Sequence, residues 1–393
     1  MGTSVSLGRI FGIPVGINWS VLVIATLIAL LFGLGPMPRE VAPGLPDGVY
    51  VLAGVVAAVL FLGSILAHEL GHAVVARSRG VEVEGITLWL LGGVARLGGE
   101  APSPRAELRI AAVGPLSSGL LAALFWALAW GASRLGVDPL AVEVLAWLAL
   151  INGLLAAFNA LPAAPLDGGR VLAAIWWWRT GNRTRGLVGA SNAGRLLGGA
   201  LLGFAGWQFL VGQGMVALWT AFIGWFIWQT AITEGRSAVA RGSLAGLTAV
   251  EAAPPDPPIV DEWLTVDGLI AVLGDGGDHT AFVVRESDGI LRSIVSLDDI
   301  RRVQPQHRGQ VRLGDIAVPI AELTTAWDTE PLLAVFDRVP SDDRPEIVVY
   351  DSRMCLVGVI SRADLARLIH QAGARRHPSP PPPPPRTQAP QPH

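Results

Sequence analysis

Long apolar stretches fill roughly the first 235 residues of this chain, and they limit the folds that it can adopt. Six of them are long enough, or nearly so, to cross a bilayer as helices. The fifth is short and rich in glycine. Because unpaired backbone is not tolerated in hydrocarbon, this half is predicted to be a polytopic α-helical membrane domain. The predicted spans lie near residues 15–35, 52–76, 108–131, 141–162, 196–212 and 215–234.

The distribution of arginine predicts how these spans are oriented. The chain has no lysine, and alternating spans that start from a cytoplasmic N-terminus leave most arginines on the cytoplasmic side. The opposite side then has only Arg39 and Arg134. Cytoplasmic loops of membrane proteins carry an excess of basic residues. We therefore expect a multi-pass protein of the cell membrane, with both termini and the soluble part in the cytoplasm.

The remainder of the chain has the charge density of a soluble protein. Two halves, 243–304 and 311–372, each end in a strand, a serine and a short helix, which indicates an internal repeat. The proline-rich tail 378–393 cannot bury a core and is predicted to be disordered. The domains expected are therefore a membrane domain over 1–237, the two α/β repeats and the tail. The net charge of -3 predicts no nucleic acid as a partner.

A histidine–glutamate–histidine motif, His68-Glu69-Leu70-Gly71-His72, lies inside the second predicted span. On a helix, residues four apart share a face, so His68 and His72 can offer two imidazoles to one metal ion. Glu69 lies beside them, where it can handle the proton of a metal-bound water. The alternative is a polar helix face that neighbouring helices satisfy, with Glu69 paired to an arginine. Away from the ends of the apolar spans, ionisable groups are nearly confined to this motif and Asp167, which favours the functional interpretation.

Asp167 is the candidate for a third metal ligand, since a catalytic zinc needs three protein ligands and one open position. Pro162 and Pro165 precede it and should break the fourth span. The alternative is a helix-ending turn that Asp167 caps. Asn159, at the end of the same span, could donate a hydrogen bond to a developing oxyanion or a substrate carbonyl. The equally good alternative is that the Asn159 side chain forms a hydrogen bond between two helices.

The segment from Val81 to Glu100 separates the second and third predicted spans. Alternating apolar residues favour a strand, and paired glycines, Gly92 and Gly93 among them, favour turns. A hairpin or small sheet at the membrane surface is predicted. Such backbone is tolerated at membrane depth only against protein or water, so it should line an aqueous cavity. The strand near Gly92 and Gly93 could pair with an unwound substrate segment.

Together these motifs resemble the site-2 protease family of intramembrane zinc metalloproteases, peptidase family M50. The resemblance covers about residues 1–237 and includes Asn-x-x-Pro-x-x-Pro-Leu-Asp-Gly-Gly-Arg, which stands whole from Asn159 to Arg170. It implies cleavage of peptide bonds in the transmembrane segments of single-span membrane-bound regulators, an anti-sigma factor for example. It also implies one Zn2+ held by His68, His72 and Asp167, with Glu69 as the general base.

The two C-terminal halves resemble a tandem pair of cystathionine-beta-synthase (CBS) domains, most closely over Gly358–Leu365. In that family a hydroxyl and an aspartate contact adenine nucleotides, so the resemblance implies an ATP or AMP site. The structural alternative is that each serine caps the N-terminus of the short helix that follows it and that each aspartate is an acidic residue in the first turn of that helix. A further alternative is that the repeat makes the enzyme a homodimer. The candidate nucleotide-binding residues are Ser296, Asp299, Ser361 and Asp364.

Two other functions compete with a zinc-dependent intramembrane endopeptidase regulated through CBS domains. A CBS-gated channel or transporter would need polar residues repeated across several spans, whereas one cluster is present. A catalytically inactive scaffold would not need the intact set of His68, Glu69, His72 and Asp167. The sequence therefore favours the protease.

Overall fold

The structure, a computed structural model, describes residues 4–90, 92–273, 279–339 and 346–368. The chain divides into two compact units, Met1–Ala238 and Val239–His393. The tail 378–393, predicted to be disordered, and the end of the second repeat, 369–372, lie outside the described residues.

Helices form most of the described chain between residues 21 and 244. Their bounds are α1 (Val21–Gly33), α2 (Pro36–Val41), α3 (Asp47–Ser78), α4 (Pro104–Arg134), α5 (Pro139–Asn159), α6 (Asp167–Thr180), α7 (Arg183–Leu210) and α8 (Gly214–Leu244). Within the described residues, five segments are long and apolar enough to cross a membrane. They are Val21–Val41, Asp47–Ser78, Pro104–Arg134, Pro139–Asn159 and Gly214–Leu244.

Five of the six predicted spans thus correspond to membrane-capable helices. The remaining one, the fifth predicted span over 196–212, forms the C-terminal part of α7, which is not one of the membrane-capable segments. Arg195, Gln208 and several glycines make α7 less apolar than the others. The fold class predicted from the sequence is confirmed: a helical membrane unit with a small sheet, followed by an α/β unit.

A four-stranded sheet accompanies the helices of the first unit. It is formed by β1 (Val5–Ile10), β2 (Ile13–Ile17), β3 (Val83–Trp89) and β4 (Gly92–Leu97), in the order β1-β2-β3-β4. The antiparallel β3–β4 pair is the predicted hairpin, and β2 joins it in parallel. The first predicted span began too early, because residues 13–17 are a strand and α1 starts only at Val21. The positive φ angles of Phe11 and Gly12 turn β1 back onto β2.

Small residues allow the helices of the first unit to approach each other closely. A Cβ on Gly54 of α3 would lie 2.2 Å from the carbonyl oxygen of Ala29 on α1, so only glycine permits this contact. Larger side chains fill the space beside it. Trp147 of α5 packs edge-on against Phe32 and Phe61, with ring centroids 5.6 and 6.0 Å apart.

Two sheets form the C-terminal unit, in the orders β5-β6-β7-β8 and β11-β10-β9. In each, a parallel strand pair is followed by an antiparallel hairpin, β5-β6-β7 in one half and β9-β10-β11 in the other. The strands are β5 (Ile259–Asp261), β6 (Ala281–Arg285), β7 (Leu291–Ser296), β8 (Val318–Pro319), β9 (Thr324–Trp327), β10 (Ile347–Tyr350) and β11 (Leu356–Ile360). The helices are α9 (Ala249–Ala252), α10 (Val266–Leu273), α11 (Leu297–Arg302), α12 (Leu313–Ile316), α13 (Leu332–Arg338) and a last helix over 362–368.

The two halves of the C-terminal unit pack sheet against sheet. Val283 of β6 and Val348 of β10 share one buried cluster, whereas their neighbours Phe282 and Ile347 face the helices of their own halves. This alternation is the one expected for strands buried on both faces. A polar contact joins the same halves, because Thr280 Oγ1 donates a hydrogen bond of 2.7 Å to Asp364 Oδ2.

We expect Thr280→Val to loosen the contact between the two halves. The substitution keeps the shape of the side chain but removes a hydroxyl that bonds a carboxylate only 2% exposed. The free energy of local opening should fall by about 1–2 kcal/mol, measured by hydrogen exchange of the β6 and β11 amides in the whole protein. Thr329→Val, at an exposed position, is the control. Equal protection in both variants would contradict the assigned role.

Candidate active site

Helix α3 and the first residue of α6 bring three potential metal ligands together. The Nε2 atoms of His68 and His72 are 3.2 Å apart, and they lie 3.1 and 3.3 Å from Asp167 Oδ2. A tetrahedron with bonds of about 2.0 Å has edges of about 3.3 Å, so these donors match three corners of a zinc site. Two imidazole nitrogens and one carboxylate oxygen are also ligands that zinc accepts. In the described part of the chain, this is the one group of three such residues.

The second nitrogen of each imidazole is also engaged, which orients both rings. His72 Nδ1 lies 2.6 Å from the backbone oxygen of Ile110, which can only accept, so Nδ1 donates. His68 Nδ1 lies 2.9 Å from Ser118 Oγ. Partners of this kind fix the tautomer of metal-binding histidines and leave Nε2 for the metal. The residues present therefore fit a zinc ion.

One face of α4 forms the wall behind the two imidazoles. Ile110, Gly114 and Ser118 follow each other at intervals of four residues and so share that face. A Cβ on Gly114 would lie 2.2 Å from His72 Nε2 and 2.7 Å from His68 Nε2. Sequence reasoning did not identify Ser118, since a lone serine in an apolar helix commonly bonds its own helix. Its spacing from Gly114 was the available signal.

Close backbone packing places Asp167. Helix α5 ends at Asn159, before the two prolines that were predicted to break it, and α6 begins at Asp167. A Cβ on Gly168 would lie 2.3 Å from the carbonyl oxygen of Leu161, and one on Gly169 would lie 2.5 Å from Ala163. The two glycines thus let the start of α6 fold against the preceding loop, so that Asp167 reaches the histidines.

A cavity of about 680 Å³ contains every site residue predicted in the membrane half. His68, His72 and Asp167 lie in its wall together with Glu69, which shares α3 with the histidines. A Cβ on Gly93 would lie 2.3 Å from Glu69 Cγ, so strand β4 passes directly over the glutamate. Further members of the wall are Asn159, Gly92, Gly93, Arg170 and Glu234.

Strand β4 is an outer strand of its sheet, and β3 is its only partner among the strands of the described residues. The backbone N–H of Asn18, which directly follows β2, donates a hydrogen bond to the carbonyl oxygen of Leu88 on β3. The backbone polar groups of Leu88 therefore point toward β2 and away from β4. Polar groups of alternate residues point to the same side of a strand. Gly93 and Ala95 are opposite Leu88 and Ile86 in the register, so their N–H and C=O groups point outward, and the Ala95 N–H meets the Glu69 carboxylate there. The free edge is therefore beside Glu69.

Asn159 and Asn152, both on α5, have different surroundings. The side chain of Asn152 is fully buried and forms the interhelical hydrogen bond, with Nδ2 3.3 Å from Ser64 Oγ on α3. Asn159 is half-buried in the cavity wall, and no hydrogen bond joins its side chain to any described residue. Its amide therefore faces the space that a substrate would occupy.

The four candidate nucleotide-binding residues lie in two buried pairs in the C-terminal unit. Ser296 and Asp299 form a capping box at the start of α11, with their side-chain oxygens 2.7 Å apart. Ser361 and Asp364 repeat this arrangement at 2.7 Å. Each of the four is at most 7% exposed. The helix-capping alternative is thus present in the structure, and nucleotide binding stays a prediction.

We expect Ser118→Ala to weaken zinc binding without unfolding the protein. The change leaves His68 Nδ1 without its partner, and loss of such partners typically costs about 10- to 100-fold in metal affinity. Ser117→Ala is the matched control, because the Ser117 hydroxyl bonds Gly114 O within its own helix. Zinc retention against a competing chelator measures the effect. The absorption spectrum of the cobalt-substituted protein should also change in Ser118→Ala alone; equal retention in the two variants would contradict the role.

Comparison with known proteins gives this geometry a family. The sequence model of the family described as "Peptidase family M50" matches residues 56–137 and 137–197 of this chain. The Mycobacterium tuberculosis protein named zinc metalloprotease Rip3 is 40% identical over 370 residues, which is 94% of this chain and 93% of that protein. The solved site-2 protease from Methanocaldococcus jannaschii is 27% identical, covers 59% of this chain and 94% of its own, and has a TM-score of 0.40.

A solved structure described as CBSX2 in complex with AMP is 20% identical. It covers 33% of this chain and 99% of its own, with a TM-score of 0.25.

The extent of the match to the mycobacterial relative shows the family of the whole chain, and the site geometry agrees with it. The chain belongs to peptidase family M50 and is a membrane zinc metalloprotease.

Proposed function

We propose that the protein is an intramembrane endopeptidase that cuts the transmembrane segments of single-span membrane-bound regulators, such as an anti-sigma factor. One observation supports this most: the three-ligand cluster, Glu69 and the free edge of β4 line one cavity. That cavity is walled partly by helices apolar enough to cross a membrane. A substrate that lies in the bilayer would therefore meet the catalytic groups at its own depth.

Hydrolysis of a peptide bond needs a nucleophilic water and a proton donor for the leaving amine. A bound zinc ion supplies Lewis acidity, which makes water more acidic and polarises a carbonyl. Glu69 would accept the proton of the attacking water on a carboxylate oxygen and return it to the amide nitrogen as the C–N bond breaks. The Asn159 amide would donate a hydrogen bond to the substrate carbonyl.

The substrate must be extended before it can be cut, because a helix in lipid hides its amides in its own hydrogen bonds. The outward polar groups of Gly93 and Ala95 offer an edge to which an extended segment can add as a further strand. Gly93 has no side chain that would separate this strand from Glu69. We infer that strand addition at β4 sets the scissile bond beside the metal ligands.

With the C-terminal part of α7 counted as a sixth crossing, as the sequence predicts, the arginine asymmetry supports an orientation with both termini and the C-terminal unit in the cytoplasm. His72 precedes Arg77 by about five residues, so at about 1.5 Å per residue the cluster would lie on the order of 10 Å from the cytoplasmic boundary. Water would then enter the cavity from the cytoplasm. The partners proposed are the bilayer and the membrane-bound substrate.

Glu69→Gln should abolish cleavage of a co-expressed single-span substrate while zinc stays bound. The amide keeps the size of the side chain but cannot take a proton, and Glu69 is not one of the three ligands. Accumulated substrate and missing fragments on immunoblots measure the loss, and metal analysis of the purified protein measures zinc. Glu143→Gln on α5 is the control. Retained cleavage in Glu69→Gln would refute the proposed role.

We further propose that the C-terminal unit is a CBS pair that regulates the protease by binding an adenine nucleotide, AMP or ATP. The support is the repeated buried serine–aspartate pair of each half. A ribose that bonds Asp364 would have to compete with Thr280, which already donates to that carboxylate. Binding would then alter the contact between the two halves. Homodimer formation through this unit is the alternative role.

AMP or ATP should raise the unfolding temperature of the whole protein, since a ligand that binds only the folded state stabilises it. Asp364→Asn should remove most of this shift because the neutral amide accepts hydrogen bonds more weakly. Asp298→Asn, at the exposed position beside Asp299, should leave the shift unchanged. Thermal unfolding across a nucleotide titration measures it. The absence of any shift in the wild type would contradict nucleotide binding.

A further inference from the structure

A carboxylate that the proposed chemistry does not use, Glu234 of α8, lines the catalytic cavity. Its side chain is exposed to the cavity, although it belongs to a helix apolar enough to span a membrane. Charged groups in such helices are costly and are retained where they have a task. No hydrogen bond or ion pair joins Glu234 to any residue that the structure describes.

Arginines are present near Glu234, but they have other partners. Arg170, which also lines the cavity, attracts Glu234 electrostatically, although the two side chains form no ion pair. The guanidinium of Arg170 already contacts Glu107, with Nε and Nη2 3.0 and 2.9 Å from Oε1. Glu107 is only 3% exposed, so this pair is largely shielded from water. Arg183 in turn pairs with Glu100 and lies 3.9 Å from the other oxygen of Glu107.

Four side chains of the cavity wall besides the histidines carry a charge. Arg170 is paired with Glu107, and Glu69 and Asp167 lie at the candidate metal site, where a zinc ion would add two positive charges. Glu234 is the wall carboxylate outside that site, and it has no ion pair among the described residues. In a cavity whose walls are partly apolar, such a charge attracts a cationic group more strongly than it would in water.

We infer that Glu234 forms a subsite for a basic side chain, arginine or lysine, of the substrate; this inference rests on the proposed function. Membrane-spanning segments are commonly flanked by arginine and lysine on their cytoplasmic side. A segment that enters the cavity near its cytoplasmic end would bring such a residue with it. Glu234 and the metal ligands line the same cavity. The ion pair therefore sets which peptide bond lies beside Glu69.

Charge exchange between enzyme and substrate tests this subsite. Single-span substrates that carry arginine, glutamine or glutamate at one flanking position are reconstituted in vesicles with the full-length zinc enzyme. Cleavage rates and the bonds cut are measured by mass spectrometry. Glu234→Gln should lower kcat/KM for the arginine substrate about tenfold and leave the glutamine substrate nearly unchanged. Glu234→Arg should favour the glutamate substrate instead.

Controls separate this inference from the proposed function. Glu143→Gln removes a carboxylate that is not in the cavity wall and should keep the wild-type preference. Zinc content equal to wild type shows that Glu234→Gln leaves the site intact. If the wild type cuts membrane segments but Glu234→Gln and Glu234→Arg keep its preference, the subsite is refuted and the protease is not. If only soluble peptides are cut, both proposals fail.

Discussion

Pairing of polar groups in an apolar bundle is the constraint on which this site depends. A buried polar group without a partner costs free energy, and lipid offers no substitute partner. The histidines of α3 meet this requirement at both nitrogens: Nε2 of each faces Asp167, and the Nδ1 atoms face Ser118 and Ile110. Three helices must therefore keep their register for the cluster to exist, and the same register orients the imidazoles for a metal.

Glycines determine how closely the surrounding backbone approaches this cluster. Gly114 leaves room for the imidazoles, Gly93 lets β4 lie on Glu69, and Gly168 lets α6 turn against the preceding loop. A methyl group at any of the three would overlap a neighbouring atom at less than 2.5 Å. The positions of the catalytic residues thus depend on the absence of a side chain at these glycines as well as on direct contacts. Two of the glycines, Gly93 and Gly114, lie outside the metal-binding motifs.

The parts of the site that follow from local geometry could be predicted from the sequence. Helical spacing puts His68 beside His72, and prolines end α5 before Asp167. Ser118 and Glu234 could not be identified, because their roles depend on which faces of α4 and α8 pack toward the cavity. The end of strand β2, residues 15–17, was assigned to the first span, since a short apolar strand followed closely by an apolar helix has no distinguishing period.

In the proposed function, the free edge of β4 links the supply of water to the recognition of substrate. Unpaired backbone groups cannot face hydrocarbon. The Ala95 N–H meets the Glu69 carboxylate, and the other outward groups of Gly93 and Ala95 require either water or another strand. The same cavity must hold the water that hydrolysis consumes. When an extended segment adds to β4, it replaces that water along the edge but not at the metal ligands, which lie on α3 and α6. Water therefore has to reach Glu69 through the part of the cavity that the added strand leaves open, and the cavity wall includes the polar side chains of Arg170 and Glu234.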